Sequence, residues 1–260
     1  MSTPDSIPSL GELHVQRYLL NQHHVTVSIT DPDLMFRAYL DHARRWDREP
    51  DPFEAVIVRQ ALTAAGLHLA SLHKNQSVAW TINLNDPALN VFVAGDVIDG
   101  HIVARLFTEN IETAETSRVY CQTQQPNSPV RQTVIDVEGL DVLVMFEQLG
   151  QRSDQQLVRY FDHDDGRSSM VLGLPGADPE WIHGLEHDDV PGLVRDPDAH
   201  LLETRLFTFA CGCTEERMRS VVGAAYSGRL DELFQGEPGL QVQCPRCGHE
   251  WLLRREDLAE

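Results

Sequence analysis

The sequence predicts an α+β protein in which an N-terminal α/β domain carries an antiparallel sheet and the last fifty residues form a small separate domain rich in cysteine. Three observations predict this. A helix start signal stands at Asp51, an alternating apolar pattern broken by turn signals runs over 77–107, and four of the five cysteines lie beyond residue 210.

Along the chain, the first 35 residues read as irregular, with Pro4, Pro8 and Pro32 and polar clusters around short apolar stretches such as Val25 to Ile29. In EPDPFEAVIVRQALTAAGLHLASLHK, Asp51 can cap a helix, Pro52 suits its first position and Glu54 falls where a capping box needs it. An apolar face including Val56, Leu62, Leu69 and Leu72 predicts a core helix. The following SVAWTINLNDPALNVFVAGDVIDGHIVARLF alternates between turn signals at Asn-Asp-Pro and Ile-Asp-Gly, which predicts three antiparallel strands. Cys121, in RVYCQTQ, sits on a further strand and is expected as a buried, inert thiol. QQLVRYFDHDDGRSSMVLGLPG predicts a hairpin turning at Asp164-Asp165-Gly166. From about Asp178 the chain is rich in Asp, His and Pro without a continuous apolar face, and residues 179–209 are expected to be a metastable linker with short helices.

Composition excludes several classes of function. A formal charge of −19 and a pI near 4.9 argue against nucleic acid and anionic membranes, which need clustered Lys and Arg. The first twenty residues lack the basic and apolar regions of a secretion signal, and no apolar run approaches spanning length. An odd number of cysteines in a chain read as cytoplasmic points to metal or redox chemistry rather than a fixed disulfide framework.

That chemistry sits at fixed offsets: Cys211-Gly-Cys213, thirty intervening residues, then Cys244-Pro-Arg-Cys247. Four thiolates suit one tetrahedral Zn2+. In CPRCGHEW, Pro245 stiffens the turn and Gly248 supplies a positive φ, so that backbone N–H groups face the sulfurs. LQVQ and EWLL flank this knuckle as strands, and Thr214 can cap a helix through Met218, Val222 and Tyr226 that Gly228 stops. With so small a core, a metal must supply much of the folding energy of residues 210–260.

Spacing alone leaves a purely structural zinc site open. The Cys-x-Cys half distinguishes it from an inert ribbon, because two thiols one residue apart can form a local, strained disulfide, and metal binding then competes with thiol oxidation for the same atoms. His249 beside the knuckle is expected to support the site rather than join it, and Arg217, Arg219 and Arg246 either ease thiolate formation or are surface charges. HGLEH, His183 to His187, matches a zinc-protease pattern, but no closed domain with a third ligand follows, and a solvated histidine pair is the expected reading. The alternative from another class is a zinc ribbon that binds nucleic acid or a protein partner; the acidic DELFQGEPG before Cys244 argues against the former.

Cys211-x-Cys213-Thr214-x-Glu216-Arg217, the thirty-residue gap, and Cys244-x-x-Cys247 followed by Trp251 resemble the zinc end of the 33-kilodalton heat-shock protein family, redox-regulated bacterial holdase chaperones. Weaker likenesses are RQALTAAGLHLASL, MFEQ at 145–148 and MVLGLPGAD at 170–178. The chain departs from the family where TENIETAETSRVYCQTQQPNSP replaces a Gly-rich segment and where Leu149-Gly150-Gln151 replaces Ser-Glu-Gln. The resemblance implies three parts: a substrate-binding domain over 1–178, the metastable linker over 179–209 and a zinc redox-switch domain over 210–260. It also implies a two-state cycle. Reduced, Cys211, Cys213, Cys244 and Cys247 hold zinc and the linker stays docked; oxidised, Cys211 pairs with Cys213 and Cys244 with Cys247, zinc leaves and the linker unfolds. Unfolded client proteins would be held without ATP and later passed to ATP-driven foldase chaperones. Homodimerisation of the oxidised form is left open, and no enzyme activity is expected.

Overall fold

The structure, a computed structural model, describes residues 10–258, so the expectation at Pro4 and Pro8 falls outside the described residues. The chain divides after Phe209 into two compact units.

The first unit opens with β1 (Glu12–Leu20) and β2 (Val25–Thr30), followed by α1 (Asp33–Arg45) and α2 (Pro52–Ser71). Five strands come next: β3 (Ser77–Asn85), β4 (Ala88–Asp96), β5 (His101–Phe107), β6 (Ser117–Gln124) and β7 (Arg131–Val137). Then follow α3 (Val142–Leu149), β8 (Val158–Asp162), β9 (Ser168–Gly173), two short helices α4 (Pro179–His183) and α5 (Val190–Leu193), and β10 (Ala199–Phe209). The ten strands form one sheet in the order β7-β6-β3-β4-β5-β10-β1-β2-β9-β8. Neighbours are antiparallel except β5 and β10, which pair in parallel at Thr208–His101 and Phe209–Ile102. The expected α+β class with an antiparallel sheet is therefore what the chain adopts.

α2 is the central element. The Asp51 carboxylate accepts from the Phe53 and Glu54 backbone N–H groups at 2.8 Å each, and Glu54 accepts from the Asp51 N–H at 2.8 Å, completing the capping box read from the sequence. Beyond its first turn the helix is apolar nearly all round, as a helix enclosed in a core must be. Its buried side runs through Ile57, Val58, Ala61, Leu62 and Leu69, whereas Val56 is 54% exposed, which corrects the predicted face. At Gly66 a Cβ would fall 2.2 Å from the Leu13 Cδ2, so the missing side chain lets β1 lie directly against the helix. Trp80, Phe146 and Phe207 fill the largest volumes of this core, with Trp80 against His68 and Phe146.

Two expectations fail for a common reason. The first 35 residues hold two sheet strands, and β2 is buried along its whole length although Thr26, Ser28 and Thr30 are polar. Within 179–209, residues 199–209 form a strand in the middle of the sheet and not a connector. β10 is tied down by ions: Arg17 donates to the Glu203 carboxylate at 2.6 Å, Arg205 pairs with the same carboxylate at 3.1 Å, and Arg205 also donates to the Leu69 and Leu72 carbonyls at the end of α2. Such stabilisation comes from distant partners and leaves no local signature. The rest of the segment does form short helices. Ile182, Leu185 and Val190 pack with Leu20, Val25, Val27, Phe161 and Val171 in a second, smaller apolar cluster.

In the second unit, α6 (Glu215–Ala225) and α7 (Leu230–Phe234) precede an antiparallel pair, β11 (Gly239–Gln243) and β12 (Glu250–Arg254). Thr214 caps α6 by accepting from the Arg217 N–H at 3.2 Å, and Gly228 has φ +73° two residues past the helix's C-cap at Tyr226. Among the described residues no helix is long and apolar enough to cross a membrane.

Candidate metal centre

The two cysteine pairs arrive from different local structures. Cys211 and Cys213 lie in extended chain before α6, joined by Gly212 at φ +63°. No neighbour comes within 4 Å of a Cβ placed there, so the backbone angle, and not space, calls for glycine. Sequence reasoning passed over this residue, although a glycine between two ligands was its visible signal. Cys244 and Cys247 sit in the turn between β11 and β12. The Gly248 N–H donates to the Cys244 carbonyl at 2.9 Å, the Cys244 N–H donates to the His249 carbonyl at 2.8 Å, and the His249 N–H faces the Cys247 Sγ at 3.5 Å. Gly248 has φ +80°, as the knuckle motif requires.

All four Sγ atoms fall within 4.8 Å of one another, with Cys211 to Cys244 at 3.6 Å and Cys213 to Cys247 at 3.5 Å. Sulfurs about 2.3 Å from a tetrahedral zinc would stand about 3.8 Å apart. The donor set fits that ion in number, softness and spacing. Cys244 and Cys247 are buried, and Cys211 and Cys213 are half-buried.

Charge in the cluster argues the same way. Hydrogen bonds from Cys211 and Cys247 hold Cys244 well below the ordinary thiol range, while the bond to Cys244 pushes Cys211 up. Burial pushes Cys213 up to about 12. For Cys247 the bond with Cys211 lowers the value, but the bond with Cys244 and burial outweigh it, again giving about 12. One thiolate is favoured and further ones are resisted by their neighbours, so a full set of four needs a cation to offset the charge.

The surrounding residues divide by what they touch. The His249 ring lies against Trp251, with centroids 4.3 Å apart, and the residue meets the cysteines through its backbone. Arg219 pairs with Glu215 at 2.5 Å and Asp257 at 3.4 Å, Arg217 is exposed, and Arg246 helps lower Cys244 through its backbone N–H. The HGLEH match dissolves in three dimensions: α4 ends at His183, Gly184 is its C-cap, and His187 lies beside Asp188. Among the described residues the four cysteines form the one group of three or more metal-ligating side chains. Cys121 lies on β6 opposite Trp80 and Thr133; it is half-buried at the core's edge, not enclosed as expected.

Comparison with known proteins bears on this centre directly. The model of the family described as Hsp33 protein matches residues 167–254, which include all four cysteines. A 33 kDa chaperonin of Lactobacillus helveticus is 21% identical over 90 residues, covering 35% of this chain and 30% of that protein. One from Caldanaerobacter subterraneus subsp. tengcongensis is 24% identical over 146 residues, 54% of this chain and 47% of the relative. The matches thus span less than half the length of these relatives. The crystal structure of the 33 kDa chaperonin from Thermotoga maritima has the same fold, with a TM-score of 0.70 over 95% of this chain and 96% of that one at 14% identity. A family match that takes in all four cysteines, relatives that share one name, and a fold in common over nearly the whole length make this chain similar to the Hsp33 family.

Proposed function

We propose that the protein is a redox-regulated, ATP-independent holdase chaperone of the cytoplasm. The observation that carries this reading is the makeup of the second unit's interior. Among the described residues its buried side chains are Phe234, Leu253, Cys244 and Cys247. A fold so short of apolar burial depends on whatever binds its cysteines.

In this reading Cys211, Cys213, Cys244 and Cys247 hold Zn2+, which when bound lets four thiolates coexist and closes the tail. Each disulfide formed, Cys211 with Cys213 and Cys244 with Cys247, gives up two electrons; a peroxide accepts them with two protons and becomes water. The half-buried first pair is the more open to attack. Loss of the thiolates removes the ligands, the tail loses its main stabilisation, and the segment near 179–198, built from helices of five and four residues, follows. Apolar surface so released would hold unfolding client proteins until reduction, after which ATP-driven foldases take them. No covalent bond of a client changes, so this is not an enzyme activity.

The test is aggregation of a heat-denatured model protein with this chain added reduced or peroxide-treated, while a chromogenic chelator follows zinc. The expected result is suppression by the oxidised form alone, with zinc appearing as thiols disappear. Zinc that stays bound through complete thiol oxidation rules the switch out.

A further inference from the structure

We propose that Arg159 is the latch that fastens the 178–198 segment to the sheet of the first unit. Arg159 lies on β8, one of the sheet's two edge strands. Its Nη1 donates to three carbonyls at the end of α4 and just beyond it: Ile182 at 3.4 Å, His183 at 2.9 Å and Leu185 at 3.3 Å. The His183 carbonyl is one that the end of a helix leaves without an internal partner; the Ile182 carbonyl is shared with the Leu185 N–H at 3.3 Å, and Leu185 lies just past the helix. A helix of five residues cannot stand alone in water, so its shape depends on what holds it.

The guanidinium is itself held from behind. Its Nε lies 3.5 Å from the Glu147 carboxylate, and its plane covers the Phe161 ring at 4.8 Å. Glu147 also accepts from the Tyr160 N–H at 2.7 Å, so α3 positions the carboxylate and the carboxylate positions the arginine. The arrangement is therefore reversible. If the segment leaves, Arg159 keeps its countercharge and is not stranded as a half-buried ion, and the fork stays aimed for the carbonyls to return. The apolar cluster of Ile182, Leu185 and Val190 supplies attraction, whereas the three hydrogen bonds fix position. Because the bonds go to the backbone, they are lost when the segment melts.

The consequence for chaperone control rests on the holdase reading; the latch itself does not. The experiment uses full-length, zinc-loaded, reduced protein carrying Arg159→Met or Arg159→Lys. Three quantities are read: hydrogen exchange of residues 182–194 with trypsin cleavage at Arg195, zinc content, and suppression of aggregation. Arg159→Met is expected to open the segment about tenfold more readily or beyond, with zinc content and α2 exchange unchanged. Arg159→Lys, a point charge without the planar fork, is expected to open it several-fold more readily, and it decides the matter if the methionine variant does not fold. Exchange and cleavage at the wild-type level overturn the latch. Faster opening without any holding activity, in a protein whose oxidised wild type is also inactive, leaves the latch standing and sinks the holdase reading.

Discussion

The two units of this chain reach a folded state by different means. The first encloses Trp80, Phe146, Phe207 and a helix buried on nearly every side beneath a ten-stranded sheet. The second has a two-stranded sheet, a helix α6 with no buried residue, and an interior in which, among the described residues, half of the buried side chains are cysteines. Apolar burial scales with domain size, and fifty residues sit at the lower limit of what it supports. The difference teaches where chemical control could act: a unit stabilised by dispersed apolar packing has no single atom to remove, whereas one held through four sulfurs, as proposed above, would be switched by changing them.

The comparison breaks most readily at those sulfurs. Serine at positions 211, 213, 244 and 247 together is expected to abolish exchange protection across β11 and β12 while α2 stays protected. Structural zinc contributes on the order of 10–16 kcal/mol in small metal-dependent folds, more than Phe234 and Leu253 can replace. Hydrogen exchange by mass spectrometry reads both units in one sample, and a tail that stays protected removes the basis of the contrast. The converse change sharpens it. Trp80→Ala is expected to destabilise the first unit by about 3–5 kcal/mol, seen as an earlier urea midpoint by circular dichroism, with the zinc content of the tail unchanged.

How far the sequence revealed each unit follows from the range of the forces involved. The tail was legible almost residue by residue, because ligand spacing, the Thr214 cap and the Gly248 turn are local requirements. So were the capping box at Asp51 and the turns between β3, β4 and β5, where the Asp96 carboxylate accepts from the Ile98 and Asp99 N–H groups. Elements stabilised from afar were not. β10 reads as polar connector because Leu201, Leu202 and Leu206 face outward, while its stabilising partners, Arg17, Leu69 and Leu72, lie more than 130 residues away. β2 alternates in sequence, Val25, Val27 and Ile29 against Thr26, Ser28 and Thr30, but its burial does not, because both of its faces are covered, one of them by Ile182, Leu185 and Val190 from a segment that itself looked structureless. Arg159 looked like an ordinary strand arginine for the same reason.

The smallest expected effect tests whether the first unit has a chemical sensitivity of its own. His163 is buried at the tip of the β8–β9 hairpin with its Nε2 2.8 Å from the Ser169 Oγ. Burial holds its pKa below the usual histidine range; the His187 backbone, Asp165 and Asp162 pull the other way and Arg167 adds to the lowering. The folded state therefore binds fewer protons than the unfolded chain once pH falls below about 6.5, the ordinary histidine value, so stability is complete above that pH and declines as acidity increases. His163→Gln keeps a polar partner for Ser169 and removes the titration. Urea midpoints of the first unit measured from pH 7.5 to 5.5 are expected to fall less steeply in the variant than in wild type. Equal slopes would mean that the acid response lies in other groups and that the hairpin tip is as insensitive as the core beneath it.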